Sequence, residues 1–389
     1  MGTLVGADNF WGVPDYGPAS GEFASWGITV IAPAVAGAAA WEAGRQRSMG
    51  DIRKVSARSA VRQWLWATRP VFALHVLLVA GALTMARVTV GVWPTGSGLL
   101  AVGHLLLLPW GWMAIGWVVG LLCPRAVAAP VAAAGSWAWL AIPQSMSAPE
   151  WRHMAGFLTE GSTLTDTLDP LVYLVPWMVT ACFTVAAVLL RGVRRRPRLL
   201  AFSVAIIAAA LFIGRSFVAD WGYSPLTDAR VGHTVCVGTS PALCLPEEYE
   251  EQAADLRSES LPALKALRAA GVPTPRTLRM ASDDLDLEPG TWPLYWSPEN
   301  STQQFEIDLA RSAVTGVAAL HGVHDCRQPY LADTWALLVV GVGEKDVEAS
   351  VPPQDWIQVQ RIRELPAAQQ ADWFTKAAQD QSHCLVGQK

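Results

Sequence analysis

Six stretches of the chain are apolar for about twenty residues, the length an α-helix needs to cross the hydrocarbon core of a bilayer. They are FASWGITVIAPAVAGAAAW (23–41), PVFALHVLLVAGALTMARVTVGV (70–92), GLLAVGHLLLLPWGWMAIGWVVGLL (98–122), AVAAPVAAAGSWAWLAI (126–142), PLVYLVPWMVTACFTVAAVLL (170–190) and LLAFSVAIIAAALFIGRSFV (199–218). The fourth is Ala-rich and the least apolar. Lipid offers no partner to a free backbone N–H or C=O, so such stretches are expected to be helices. Composition agrees: 52% of residues are hydrophobic and 16% charged, against a usual charged share of about 25%.

Charge divides the chain in two. Residues 1–217 carry 16 Lys+Arg and 9 Asp+Glu, a net of +7, whereas residues 218–389 carry 13 and 24, a net of −11. The cations of the front half crowd into alternate connections. Arg45, Arg47, Arg53, Lys54, Arg58, Arg62 and Arg69 follow the first apolar run, Arg125 lies between the third and fourth, and Arg191, Arg194, Arg195, Arg196 and Arg198 lie between the fifth and sixth. The opposite connections hold only Arg152. By the positive-inside rule the basic connections face the cytoplasm and both termini lie outside. Trp26, Trp93, Trp151 and Trp221 then fall near the outer boundary, and Trp41, Trp64 and Trp66 near the inner one, as an aromatic belt. The expected organisation is an extracytoplasmic segment 1–22, a six-span membrane domain 23–218 and an extracytoplasmic domain 219–389. Residues 1–22 have neither the basic start nor the apolar core of a signal peptide.

An external C-terminal half lies where disulfides persist. It holds Cys236, Cys244, Cys326 and Cys384. TVCVG and ALCLP read as two strands around a turn, which sets Cys236 opposite Cys244 and leaves Cys326 for Cys384. A zinc site is the alternative, because HGVHDC offers His321, His324 and Cys326, with His383 and Cys384 further on. The disulfide reading is preferred, since no metallopeptidase spacing is present. Cys123 and Cys182, at or within spans, read as small apolar fillers.

The remainder of this half reads as mainly helical with a small hairpin. A helix is expected over 246–270, with acidic residues in its first turn and Gly271 as its stop. TWPLYW reads as a strand or extended stretch. A second helix starts at a cap on Asn300 or Ser301, and Asn300-Ser301-Thr302 is read as that cap rather than as a glycosylation acceptor. Residues 335–342 suit a helix or a strand, and 354–363 and 366–382 suit helices broken at Leu365-Pro366.

The motifs of common catalysts are absent from the sequence. There is no Gly-x4-Gly-Lys-Ser/Thr loop, no Gly-x-Ser-x-Gly and no His-Glu-x-x-His, and GVGEK is a poor dinucleotide loop. The expectation is a chain without catalytic residues, cofactor or metal, and without a nucleic-acid partner. Within the spans, Arg87 and Arg215 read as snorkelling cations and His75 and His104 as neutral packing residues. No span carries the paired carboxylates of a proton-coupled carrier. Glu42 is either half of a helix-end ion pair with Arg45 or a contact for a cytoplasmic partner. Residues 44–69 form either a basic linker along the lipid or an amphipathic coupling surface for a separate ATPase subunit.

VIAPAVAGAAAWEAGRQR, followed by alternating spans and then CVGTSPALCLPEEYEE, resembles actinobacterial membrane proteins described as ABC transporter permease-like. The resemblance implies about six spans, an extracytoplasmic C-terminal domain and work as a dimer, or with a related permease, beside a separately encoded ATPase. In it Trp41, Glu42 and Arg45 match the end of a membrane helix, and Cys236, Cys244, Pro246 and Glu247 match the hairpin. ABC-2-type permeases usually begin in the cytoplasm, so the resemblance also implies a basic segment and a span ahead of Met1.

The expected fold is thus an α-helical polytopic membrane protein: a six-helix transmembrane bundle with a mainly helical α+β extracytoplasmic C-terminal domain in the plasma membrane. The expected function is a permease-like subunit of an ABC-type exporter. Contact with the ATPase is expected through Trp41, Glu42, Arg45, Arg53, Lys54, Arg58, Arg194, Arg195 and Arg196. The rival is a membrane-anchored sensor or binding protein, and a weaker third class is an extracytoplasmic enzyme.

Overall fold

A computed structural model describes residues 15–48, 60–158, 161–192, 196–280, 282, 287–298, 301–319 and 331–386. The chain separates into two compact units. The first holds residues up to 163 and 167–228; the second holds 164–166 and everything from 229 onward.

In the first unit, α1 (Gly17–Ser25) and α2 (Ile28–Ser48) are joined by a 43° bend at Trp26-Gly27. Then come α3 (Ala60–Val90), α4 (Gly98–Leu122), α5 (Arg125–Ala141), the short α6 (Glu150–Ala155), α7 (Leu171–Leu190) and α8 (Arg198–Val218). Among the described residues five helices are long and apolar enough to cross a membrane, and the bent pair α1–α2 makes a sixth if it is one span. The Ala-rich fourth run is one of the five, because a 3-10 turn (Ile142–Ser145) extends α5. The connection 143–169, read from sequence as a plain loop, folds α6 and β1 (Asp166–Leu168).

Small residues decide how the first unit packs. The bent pair runs alongside α4, and Ala32, Ala36, Ala39, Ala40 and Ala43 on α2 are all buried. They face Gly116 and Gly120, a Gly-x-x-x-Gly step on α4, where an added Cβ would overlap the carbonyl oxygens of Ala36 and Ala40. Such small-residue seams let helix backbones approach where lipid gives no hydrophobic drive to association. Gly21 of α1 meets the Gly98 backbone in the same way.

Prolines interrupt these helices, and the bundle repairs one of the gaps visibly. Pro109 inside α4 has no N–H for the Leu105 carbonyl four residues earlier. His75 of α3 reaches that carbonyl through Nε2, at 3.3 Å. The Trp110 indole N–H donates to His75 Nδ1 at 3.0 Å. An indole N–H only donates, so Nδ1 accepts and the ring proton sits on Nε2. His104 repeats the pattern: Trp177 donates to its Nδ1 at 2.9 Å, and its Nε2 meets the Gly156 carbonyl at 2.7 Å. Both histidines are buried with both nitrogens engaged.

In the second unit, β3 (Thr234–Val237) and β4 (Ala242–Pro246) form an antiparallel hairpin with Cys236 opposite Cys244. A 3-10 turn (Glu247–Gln252) leads into α9 (Ala253–Ala269), so the first part of the expected helix 246–270 is wound more tightly. Gly271, at φ +87°, ends α9 as read. Two further strands, β5 (Thr277–Arg279) and β6 (Thr291–Pro293), add in parallel to give the order β3-β4-β5-β6. The hairpin is therefore half of a four-stranded mixed sheet. A separate short strand β2 (Thr227–Ala229) pairs with β1.

Helices α10 (Thr302–Ala319), α11 (Leu331–Val340), α12 (Glu344–Ser350), α13 (Pro353–Arg363) and α14 (Ala367–Val386) complete this unit. Ser301 caps α10 by accepting the Gln304 N–H at 3.2 Å. The stretch 335–342, open to two readings in the sequence, belongs to helix α11 up to Val340. The core gathers Trp292, Phe305, Trp335 and Phe374, each under 3% exposed. Gly316 of α10 makes room for the Trp292 ring, which an added Cβ there would overlap.

Candidate functional site

Two places in the first unit carry charge in a setting that apolar packing alone does not require. One is a basic corner where α2 ends, α4 ends and α5 begins. Gly44 lets the helices close there, since its missing Cβ would stand 2.9 Å from Arg125 Cβ. Arg125 occupies the first turn of α5, where the helix dipole disfavours a cation. The Trp41 ring offsets this, with the guanidinium carbon 3.5 Å from its centroid. Arg47 donates to the Leu122 carbonyl at 3.2 Å, closing an orphan acceptor at the end of α4. Arg45 holds Glu42 with Nη2 2.6 Å from Oε1 and Nε 2.8 Å from Oε2. Glu42 also accepts from Gln46 at 3.3 Å. The carboxylate is thus turned inward and engaged by its own helix, while Trp41, Arg45 and Arg47 stay exposed.

Of the residues expected at a partner surface, Trp41, Glu42 and Arg45 come together in this corner. Arg196 is exposed just ahead of α8, with its backbone N–H on the Gly192 carbonyl. Arg53, Lys54, Arg58, Arg194 and Arg195 lie outside the described residues. Arg47 and Arg125 belong to the corner although they were not singled out. Their signal was faint: an Arg directly after Cys-Pro at the start of an apolar run, and a second Arg two residues after the first.

The other place was missed in the sequence. Glu22 on α1 is 1% exposed. Its Oε2 accepts the Ser162 backbone N–H at 2.6 Å and its Oε1 the Ser162 hydroxyl at 2.5 Å. The Ser162 oxygen in turn accepts the Leu168 N–H at 3.0 Å. No described cation is paired with Glu22. Tyr173 on α7 lies within electrostatic range of it, and the Tyr173 hydroxyl is buried with no hydrogen-bond partner among the described residues. The available signal was an acid among small residues, GPASGEFAS, directly ahead of an apolar run.

In the second unit Cys236 and Cys244 are joined by a disulfide. The hairpin is fastened to α9 by Arg257, whose Nε donates to the Pro241 carbonyl at 3.0 Å and whose guanidinium fills the space beside Gly238. Arg230 makes a two-pronged pair with Glu248, at 2.8 and 2.9 Å. Cys326, His321 and His324 lie outside the described residues, and so does any pairing of Cys326 with Cys384. Among the described residues no three metal-ligating side chains converge. Cys123 and Cys182 are free and partly buried.

Residues 243–384 match a family model described as a domain of unknown function (DUF7224). The match begins within β4 and ends within α14, so it covers most of the second unit and none of the candidate membrane helices. No curated protein and no solved structure matches the chain.

Proposed function

We propose that the chain is the permease-like membrane subunit of an exporter, and that a separately encoded ATPase docks on the basic corner. In this reading the connections rich in arginine face the cytoplasm of the plasma membrane. The acidic second unit faces the oxidising side, where the Cys236–Cys244 bond persists.

The observation that carries the reading is the immobilised corner. Arg45, Arg47 and Arg125 are held by a carboxylate, a carbonyl and an indole ring. A plain anchor needs only scattered cations at the lipid headgroups. A docking surface needs them held in place, so that less side-chain freedom is lost on binding. The complementary partner is an acidic surface on a soluble ATPase subunit.

The test is recovery of the ATPase with the full-length chain in mild detergent, from cells carrying the native operon. Recovery is expected from wild type and severalfold less from the triple variant Arg45→Gln, Arg47→Gln, Arg125→Gln. Failure to recover an ATPase with wild type removes the reading.

A second reading, a membrane-anchored binding protein, is favoured by a groove of about 440 Å³ in the second unit. Glu251, Asp255 and Glu259 line it at successive turns, beside Trp296 and Phe305. A regulator gene beside this one, in place of an ATPase gene, supports that alternative.

A further inference from the structure

We propose that Glu22 is a proton-exchanging carboxyl inside the membrane body, and that its protonation governs how the segment 161–168 is fastened to α1. This goes beyond the exporter reading and does not depend on a partner subunit.

The argument rests on what surrounds the carboxyl. Both of its oxygens are engaged by one residue, Ser162, 140 positions away in the chain. The ionisable groups near α1 on the elements packed around it are few. Of those on α3, Arg62, Arg69 and His75 lie toward its start, away from the end at residues 90–92 that α1 meets. Arg87 near that end directs its guanidinium to the Gly91 carbonyl. His104 on α4 is engaged at both nitrogens. Asp15, just before α1, and Asp166, in the segment itself, are acids and supply no countercharge. Tyr173 on α7 is neutral and its hydroxyl is unpartnered. Glu160 lies outside the described residues.

A buried carboxylate balanced by no cation is costly, and a bound proton removes that cost. Intramembrane acids of this kind mark ion pathways and proton relays. The broken helix adds to the case, since discontinuous spans are where membrane transporters place ion sites.

Protonation also changes the clasp. The carboxylate accepts from Ser162 at both oxygens. The carboxylic acid has one oxygen that must donate. The Ser162 hydroxyl donates to Oε1, so a proton on that oxygen forces the hydroxyl to turn and accept, or the acid to find another acceptor, and the set re-pairs either way. The Tyr173 hydroxyl, buried and without a hydrogen-bond partner among the described residues, shares the electrostatic surroundings of Glu22. Gaining and losing one proton therefore switches the segment between two hydrogen-bond arrangements.

Infrared difference spectroscopy on the full-length protein in lipid nanodiscs tests this directly. Between about pH 5 and pH 9, wild type is expected to lose one protonated-carboxyl C=O stretch and gain carboxylate absorption. Glu22→Gln, which keeps the shape and stays neutral, is expected to lack that difference while remaining monodisperse. Ser162→Ala is expected to shift the midpoint of the transition without abolishing it. A Glu22 band absent at every pH, or present and unchanged at every pH, overturns the proposal. A band that responds to sodium at fixed pH instead of to pH also overturns it, in favour of a metal-cation site.

Discussion

The Leu105 carbonyl, which Pro109 leaves without its helical donor, is met by His75 Nε2 from the neighbouring helix at 3.3 Å. The repair implies a coupling that can be measured. His75→Ala is expected to lower the unfolding free energy in detergent by about 1–2 kcal/mol, the cost of an unmet carbonyl and a lost interhelical bond. In a Pro109→Ala background residue 109 regains an N–H, and the same His75 substitution is expected to cost clearly less. A double-mutant cycle with no interaction energy would contradict the repair.

The seam between α2 and α4 tolerates no side chain at Gly116 or Gly120. Gly120→Leu is expected to lower thermal stability sharply and to broaden the size-exclusion profile, because the clash is with backbone, which cannot swing away. Gly135→Ala is the control. Nothing lies within 4 Å of the Cβ it adds, so stability should hold or rise slightly, as alanine is the better helix former.

The disulfide hairpin should stabilise the second unit. Cys236 and Cys244 are eight positions apart, and closing so short a loop contributes about 2–3 kcal/mol in the chain-entropy account. Replacing both by alanine is expected to make residues 229–389 open at lower urea in pulse proteolysis of the full chain. Cleavage at unchanged urea would show the bond to be dispensable.

Gln370 joins three helices of the second unit. Its Oε1 accepts the buried Trp335 indole N–H at 3.0 Å, and its Nε2 donates to the Arg363 and Leu365 carbonyls at 3.0 and 2.8 Å. Gln370→Leu keeps the bulk but removes all three bonds, two of them partly buried. The expected loss is about 1–3 kcal/mol, read in the same proteolysis assay, and Gln370→Glu should recover only the indole bond.

Much of this architecture is legible in the amino-acid order, for physical reasons. A lipid-spanning helix must be apolar over its whole length, so α3, α4, α5, α7 and α8 stand out whatever they pack against. The Cys236–Cys244 register follows from two short β-prone runs around a Gly-Thr-Ser-Pro turn, and the stop at Gly271 follows from its backbone freedom. What escaped reading depends on partners distant in sequence. Glu22 was assigned to an external segment because the first apolar run begins at Phe23, one residue later. Its burial comes from small residues meeting Gly98 and from Ser162 far along the chain. Strands β5 and β6 are three residues each, too short to show alternation, and pair only because β4 offers an edge. Likewise, Gly116-x-x-x-Gly120 reads as a seam only once the small residues of α2 are known to face it.

The account depends most on which side of the membrane each half occupies. Lys345, on α12, is exposed within the second unit, and Arg47 is exposed at the basic corner. Each is replaced by cysteine in a chain whose Cys123, Cys182, Cys326 and Cys384 are serine and whose Cys236–Cys244 bond is kept. Intact cells are then treated with a membrane-impermeant maleimide. The account predicts that Lys345→Cys is labelled in intact cells and Arg47→Cys only after permeabilisation. The reverse pattern would contradict it.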